Sequence, residues 1–463
     1  MSLRERRPLA VVRATLARLA LNPDASGRVI RLAYPVVLGM MSFTLLSFVD
    51  TAMLGRIGAP PLAASGIAGV LVFGILFTLA GIGIGVQTVI ARRFGEGKLA
   101  ECGAVVHAGL ALACLLALPL TIASPWLAKL LAPFQSADTQ VVSLVETYLH
   151  YRLYGALFLI SNWVFRGFFA GIGETRHQMV ASIITTAINI VLDYLLIFGH
   201  AGFPRLEIAG AAIASTVAIA AGTLYLAWVA VSPSHRRRFA VLKRPFSVRK
   251  WTGRITRLSL PVAGQRLLSN GSWYVFFLIV SRIGTVELAA STAIRSVYHL
   301  TIMLGVGMGT AAAALVGQQL GARKPEHAER LGWEAAKLSA LSMGLAGILF
   351  LAIPGLLMRI YTPDPAVISA GRTPLLLLGL VQAFAGVALV LSQALQGAGN
   401  TRFVMFAELG ICGSLYLPVV YVLGLRTKLG LIGAWGGEFI YWMALAAIMS
   451  WKFARGGWKR IIV

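Results

Sequence analysis

Two carboxylates stand where a charge is costly. Asp50 lies in LLSFVDTAML and Asp193 in ITTAINIVLDYLL, each with apolar neighbours for a turn on either side. An ionised carboxylate buried in a bilayer costs about 2.5 to 3.5 kcal/mol on insertion scales unless a partner, a proton or water compensates. Asn189 and Asp193 are four residues apart, one helical turn, so they share a face, with Thr186 on that face three residues earlier. If Asp50 faces this polar stripe, two carboxylates occupy one low-dielectric pocket, and desolvation and mutual repulsion favour taking up a proton or a monovalent cation. The alternative use of each carboxylate is an interhelical hydrogen bond.

Other polar residues surround this core proposition. Asn162, Thr216 and Tyr148 could extend the network, or could cap helices and bond to backbone. Pro35 lies 15 residues before Asp50, about 22 Å along a helix axis. Its missing N–H permits bending and makes it a gating candidate, although membrane helices also carry purely structural prolines. Glu408 and Glu438 are intramembrane acids of the second half that could pair with Arg266 or Arg295, or add negative potential to a cleft. Gly81, Gly83 and Gly85, like Gly305, Gly307 and Gly309, alternate in apolar helical surroundings with no strand before them, which points to close helix packing rather than phosphate binding. No phosphate loop, nucleophile elbow or metal-ligand cluster is legible. The chain reads as a non-enzyme without cofactor or metal, driven by a proton or sodium gradient.

The elements that hold these residues follow from composition. Of 463 residues, 58% are hydrophobic and 13% charged, with a mean hydropathy of +0.79, far from the roughly 45 to 50% apolar and 25% charged of soluble domains. Twelve apolar segments are long enough to cross about 30 Å as helix: 32–54, 62–91, 102–124, 141–170, 178–198, 208–231, 258–281, 288–317, 334–357, 374–395, 402–424 and 429–451. None shows the alternation of a membrane barrel. The expected fold is all-α and polytopic. The excess of 41 Lys and Arg over 17 Asp and Glu reflects orientation in a bilayer rather than nucleic-acid binding, since basic residues concentrate in alternate loops. With the N-terminus inside, 29 fall in inner segments and eight in outer ones, placing both termini in the cytoplasm. Cys102, Cys114 and Cys412 lack CxxC spacing and read as small apolar residues. Arginines interrupt the first thirty residues, so that stretch reads as an amphipathic arm and not a secretory signal.

The chain also repeats itself. Pro35 matches Pro261, Arg56-Ile57-Gly58 matches Arg282-Ile283-Gly284, Gly83 matches Gly309, Gly95 matches Gly321, and the GIGETR from Gly171 matches the GAGNTR from Gly397, all at an offset of 226. Two six-helix units of even helix number enter the membrane in the same direction, related by an axis along its normal. The organisation is an arm over 1–30, a bundle over 31–231, a basic linker over 232–257 and a second bundle over 258–463. Facing bundles define a central cleft suited to alternating access about a site near the midplane. The offset sets Phe276 opposite Asp50, Leu415 opposite Asn189 and Val419 opposite Asp193, so the acidic site is peculiar to the first half.

These residues resemble the multidrug and toxic compound extrusion (MATE) transporters across 30–452: the twelve spans, the VDTAMLG segment, the paired GxGxTR segments, and NIVLDYLLIFG from Asn189, which is similar to the fifth-helix motif of the DinF-type branch. The resemblance implies that Asp50, Asn189 and Asp193 belong to a cation or proton site of the first lobe, that Asn162 and Thr216 join it, and that the first helix bends at Pro35. NorM-type members carry acids on the seventh and tenth helices; here those regions read QRLLSNGSW and VQAFAGVAL. The expectation is a monomeric multi-pass protein of the bacterial inner membrane that exports amphipathic, often cationic compounds in exchange for protons. Sodium coupling is the alternative, as is a lipid-linked precursor flippase of the same superfamily, which would place arginines in the cleft. A passive channel would need a selectivity filter that the sequence does not show.

Overall fold

The apolar periodicity resolves into twelve long rods. The computed structural model describes residues 21–136, 138–241 and 248–463. The rods are α1 (Pro23–Gly55), α2 (Ala59–Gly95), α3 (Leu99–Ile122), α4 (Thr139–Tyr154 and Ala156–Ile172), α5 (Arg176–Phe198), α6 (Glu207–Val231), α7 (Val248–Ser281), α8 (Thr285–Gly321), α9 (Pro325–Ala352), α10 (Pro365–Gly397), α11 (Thr401–Arg426) and α12 (Gly430–Ala454). Ten are long and apolar enough to cross a membrane, and α4 joins them as a pair bent by 46°. The twelfth, α7, has 34 residues but is interrupted by Gln265, Arg266, Ser269 and Asn270. Among the described residues there is no strand.

Local chemistry sets the ends. Asn22 caps α1, its side chain accepting from the Ala25 N–H, with Pro23 in the first turn and Asp24 beside the positive end of the helix dipole. Asp364 caps α10 before Pro365 in the same way. In α11, two π-helical turns, Cys412–Tyr416 and Val422–Arg426, flank the segment that holds Pro418, whose missing N–H disrupts the regular ladder.

Several boundaries differ from the expectation. α1 begins at Pro23, so residues 23–30 of the expected arm are helix; Arg28 and Arg31 lie on its exposed side while Ala25 and Val29 are buried. Residues 1–20 of that arm lie outside the described residues. α7 starts at Val248, ten residues before the expected bundle boundary, and the linker contains a further helix, Pro233–Phe239. The ninth segment stops at Ala352 and resumes as the short helix Pro354–Arg359, because Pro354 cannot continue the ladder.

Two apolar cores correspond to the two bundles, with an exchange between them. Ala25, Val29 and Ala33 of α1 pack into the core of the second half, whereas Trp251, Ile255 and Leu258 of α7 pack into that of the first. Ala25 and Trp251 are 226 apart, as are Val29 and Ile255. The seam repeats the relation. A Cβ at Gly81 would lie 3.0 Å from the Ala263 nitrogen and 3.1 Å from the Ser259 carbonyl, and one at Gly307 would meet Val37 and lie 3.3 Å from the Ala33 carbonyl. Gly95 of α2 rests on the Gln318 carbonyl of α8, and Gly321 of α8 on the Arg92 carbonyl of α2. All these partners again differ by 226. The seam runs along the half of the molecule that holds the linker and the C-terminal segment, where Gln87 Nε2 donates to the Thr310 carbonyl at 3.0 Å and Arg92 Nη2 to the Ile461 carbonyl at 2.9 Å.

Candidate functional site

Asp50 sits five residues before the end of α1, and Asp193 five before the end of α5, so both carboxyls lie at the same level. That level is near the C-terminal ends of both helices. α1 and α5 pack side by side, which brings the two carboxyl groups within hydrogen-bonding reach of each other. Asp193 and Asn189 are fully buried and Asp50 is half-buried. In the orientation that satisfies both ends of its amide, Asn189 donates to Asp193 Oδ2 at 3.0 Å and accepts from the Ser215 backbone N–H at 3.1 Å. Thr186 donates to the Ser42 carbonyl at 3.1 Å and so ties α5 to α1.

Two side chains of α4 complete the electrostatics. Arg152 and Tyr148 lie near both acids. One oxygen of each carboxyl and the Arg152 Nε lack a hydrogen-bond partner. A buried pocket with unfilled acceptors and an adjacent guanidinium can hold a small cation or a proton and change its net charge on release. Arg152 was a missed member of this site. An arginine inside an apolar span should seek a carboxylate, but its sequence position did not indicate which one.

The remaining expected site residues lie elsewhere. Asn162 donates to Thr223 at 3.1 Å and accepts from Arg166 Nε at 2.7 Å, in a separate network that Arg166 extends to Ser182. Thr216 donates to the Tyr151 carbonyl at 3.0 Å, while its neighbour Ser215 is the residue that reaches Asn189; one residue along a helix is a turn of about 100°, which moves Thr216 off the polar face. Pro35 is buried, and α1 runs through it without a break in helical assignment. Thr175 of the GIGETR segment donates to the Leu32 carbonyl at 2.8 Å, one position from the carbonyl that Pro35 leaves without its helical partner.

Among the described residues neither Glu408 nor Glu438 makes an ion-pair contact with an arginine, although Arg266 lies close enough to Glu408 to attract it. Glu408 accepts from Gln265 Nε2 at 2.6 Å, and Glu438 from Trp442 Nε1 at 2.8 Å. Arg266 lies over the Phe77 ring at 4.2 Å and Arg295 between Trp273 and Phe277. Phe77 meets Trp163 edge-on at 6.1 Å, and Arg166 lies over Trp163 at 5.8 Å. Two arginines and two aromatic rings therefore cluster where α2 and α4 meet α7.

The decisive comparison concerns the repeat. The MatE family model matches residues 35–195 and again 261–422, the two matches starting 226 residues apart. The chain belongs to the MatE family. Among MatE relatives, the Thermotoga maritima "Probable multidrug resistance protein NorM" is 27% identical, covering 95% of this chain and 94% of the relative. The protein of the same name from Burkholderia mallei is 30% identical over 92% of each. The fold is that of a MOP superfamily transporter from Pyrococcus furiosus, described as having a binding pocket of reverse polarity. That structure is 23% identical, with a TM-score of 0.87 over 95% of this chain and 97% of the other.

Proposed function

We propose that this MatE protein is a multidrug efflux antiporter that exports amphipathic, often cationic organic compounds in exchange for protons by alternating access. The observation that carries the reading is the carboxyl pair Asp50–Asp193 with its Asn189 bridge, which has no acidic counterpart in the second bundle. Multidrug resistance relatives that match nearly end to end support export as the overall activity. The bacterial relatives support an inner-membrane location, and the basic residues of the linker and alternate loops support both termini in the cytoplasm. Protonation would discharge the pair, weaken its hold on a cationic substrate and, through the bonds from α5 to α1, shift the first helix.

A proteoliposome assay tests the coupling: a fluorescent cation is followed under an imposed pH gradient and, separately, an imposed sodium gradient. Movement driven by the pH gradient alone, with counterflow, is the expected result. Movement driven by sodium alone transfers the same site to sodium, and leakage without exchange makes the protein a channel.

A second reading, the lipid-linked precursor flippase, has one observation in its favour, the arginine and aromatic cluster of Arg166, Arg266, Phe77 and Trp163. It requires that anionic amphiphiles be carried; cations that compete with one another but not with anionic amphiphiles return the assignment to drug export.

A further inference from the structure

Outside the carboxyl pair, the described residues bring one further set of metal-ligating side chains together, on the face that holds the linker. Glu174 lies in the turn between α4 and α5, His177 in the first turn of α5, and His235 in the linker helix Pro233–Phe239. One ligand atom of each falls within 4.8 Å of the other two. His235 Nε2 is 2.8 Å and His177 Nε2 3.8 Å from the same carboxylate oxygen, Glu174 Oε2. A sequence search cannot see this cluster, because His235 is 58 residues from His177.

The outer partners of the two imidazoles are the second observation. His177 engages the Tyr225 hydroxyl through Nδ1 at 3.3 Å, and His235 engages the Ser232 hydroxyl through Nδ1 at 3.1 Å. Each ring therefore has its far nitrogen occupied and its Nε2 turned to the common point, the arrangement by which metal-binding histidines are oriented. Phe169 backs both rings, at 5.1 and 5.9 Å between centroids. The cluster is neither sealed nor fully solvated: side-chain exposure is 13% for His235 and about a third for the other two.

We propose that Glu174, His177 and His235 form a binding site for a divalent transition-metal ion of the zinc class. Two imidazoles and one carboxylate suit Zn²⁺ or Co²⁺ and not Mg²⁺ or Ca²⁺, which take oxygen ligands. A tetrahedral ion with bonds of about 2.0 to 2.2 Å spaces its ligand atoms about 3.3 Å apart, so on binding the 2.8 Å contact opens, the 3.8 Å contact closes and the spacing of the two imidazoles, now within 4.8 Å, closes onto the ion. Water takes the fourth position. Arg238, with Nη1 at 3.8 Å from the other Glu174 oxygen and a half-exposed side chain, keeps that oxygen or turns to solvent. With the ion bound, each neutral imidazole ligates through its Nε2 lone pair and keeps its proton on Nδ1, donated to the Tyr225 or Ser232 hydroxyl, and the ion fastens the linker helix to the α4–α5 turn.

The test uses the full chain in detergent, prepared without a polyhistidine tag. Titration with CoCl₂ should give a visible d–d absorption that saturates at one ion per chain, and ZnCl₂ should abolish it and raise the thermal unfolding midpoint, with MgCl₂ inert. Glu174→Gln and His235→Asn, checked for unchanged gel-filtration elution and helical circular dichroism, should each weaken Co²⁺ binding by more than about tenfold and remove the Zn²⁺ stabilisation. Absence of the absorption band in the unsubstituted chain, or Co²⁺ binding of equal strength in the His235→Asn chain, overturns the proposal.

Discussion

Asp50 and Asp193 are chemically alike, yet Asp193 is fully buried and bonded to Asn189 whereas Asp50 is half-buried. Asp50→Asn keeps the shape and removes the ionisable group, so it is expected to insert and fold normally, abolish coupled efflux and flatten the fall of substrate binding as pH drops. Asp193→Asn should behave similarly. Glu408→Gln and Glu438→Gln should leave the pH dependence largely intact, since both acids already accept hydrogen bonds from side chains of their own bundle. Binding titrations of the four variants check this, and coupled export by both aspartate variants at normal expression would remove the site. That Asp50 and Asp193 are carboxylates within apolar runs was legible in the sequence; that they face each other across 143 residues entered only as a condition, because it depends on how α1 and α5 pack. Arg152, Ser215 and the diversion of Thr216 were not, because they depend on which sides of α4 and α6 turn inward: the Thr139–Tyr154 half of α4 carries several polar residues besides Arg152, and α6 is apolar on nearly every side.

At the scale of elements, the 226 offset made the pairing of α1 with α7 and of α2 with α8 readable before any coordinate. The exchange of helix starts between cores was hidden, since Ala25 and Trp251 share a position without sharing a residue type. The alternating glycines were read as packing residues, and the seam contacts agree. Gly95→Val and Gly321→Val place a side chain against a backbone carbonyl that has no room to yield. Each should destabilise the protein by about 1 to 3 kcal/mol, as overpacking does, read as a lower unfolding midpoint in detergent. Glu334 is a joint of another kind: it accepts from the Asn22 N–H at 2.6 Å and from the Ser26 hydroxyl at 2.7 Å, fixing the start of α1 to α9. Glu334→Ala leaves those donors without their acceptor and should lower stability by about 1 to 3 kcal/mol in the same melt, while Glu334→Gln recovers part of it.

For the whole molecule, the segment after α12 bridges the two bundles. Trp458 is fully buried and stacks on Phe453 at 4.6 Å, Lys459 reaches Glu329 at 2.6 Å and Glu326 at 2.9 Å on α9, and Ile461 meets Arg92 of α2. Hydrogen bonds donated to the Glu329 and Glu326 carboxylates hold the Lys459 ammonium above the ordinary lysine range. The sign follows: a raised lysine value adds stability that is complete at neutral pH and is lost as pH climbs through that raised value. Because the pairs are solvent-screened, Lys459→Met should release the segment by no more than about 1 kcal/mol, seen as amide exchange at residues 456–461 faster by up to about fivefold at neutral pH, with the difference vanishing in strong alkali.

The seam joins glycine to backbone and amide to carbonyl, and apolar side chains of α1 and α7 cross it into the opposite cores. If this seam parts, as the proposed alternating access requires, water can hydrate the amides and carbonyls it uncovers, and only the crossing apolar side chains lose packed contact. The two ends of the transport cycle can then differ by only a few kcal/mol. Each 1.4 kcal/mol is about a tenfold change in population, so in the proposed proton-coupled cycle one proton, bound more tightly in one state by that margin, shifts the balance between the two ends about tenfold.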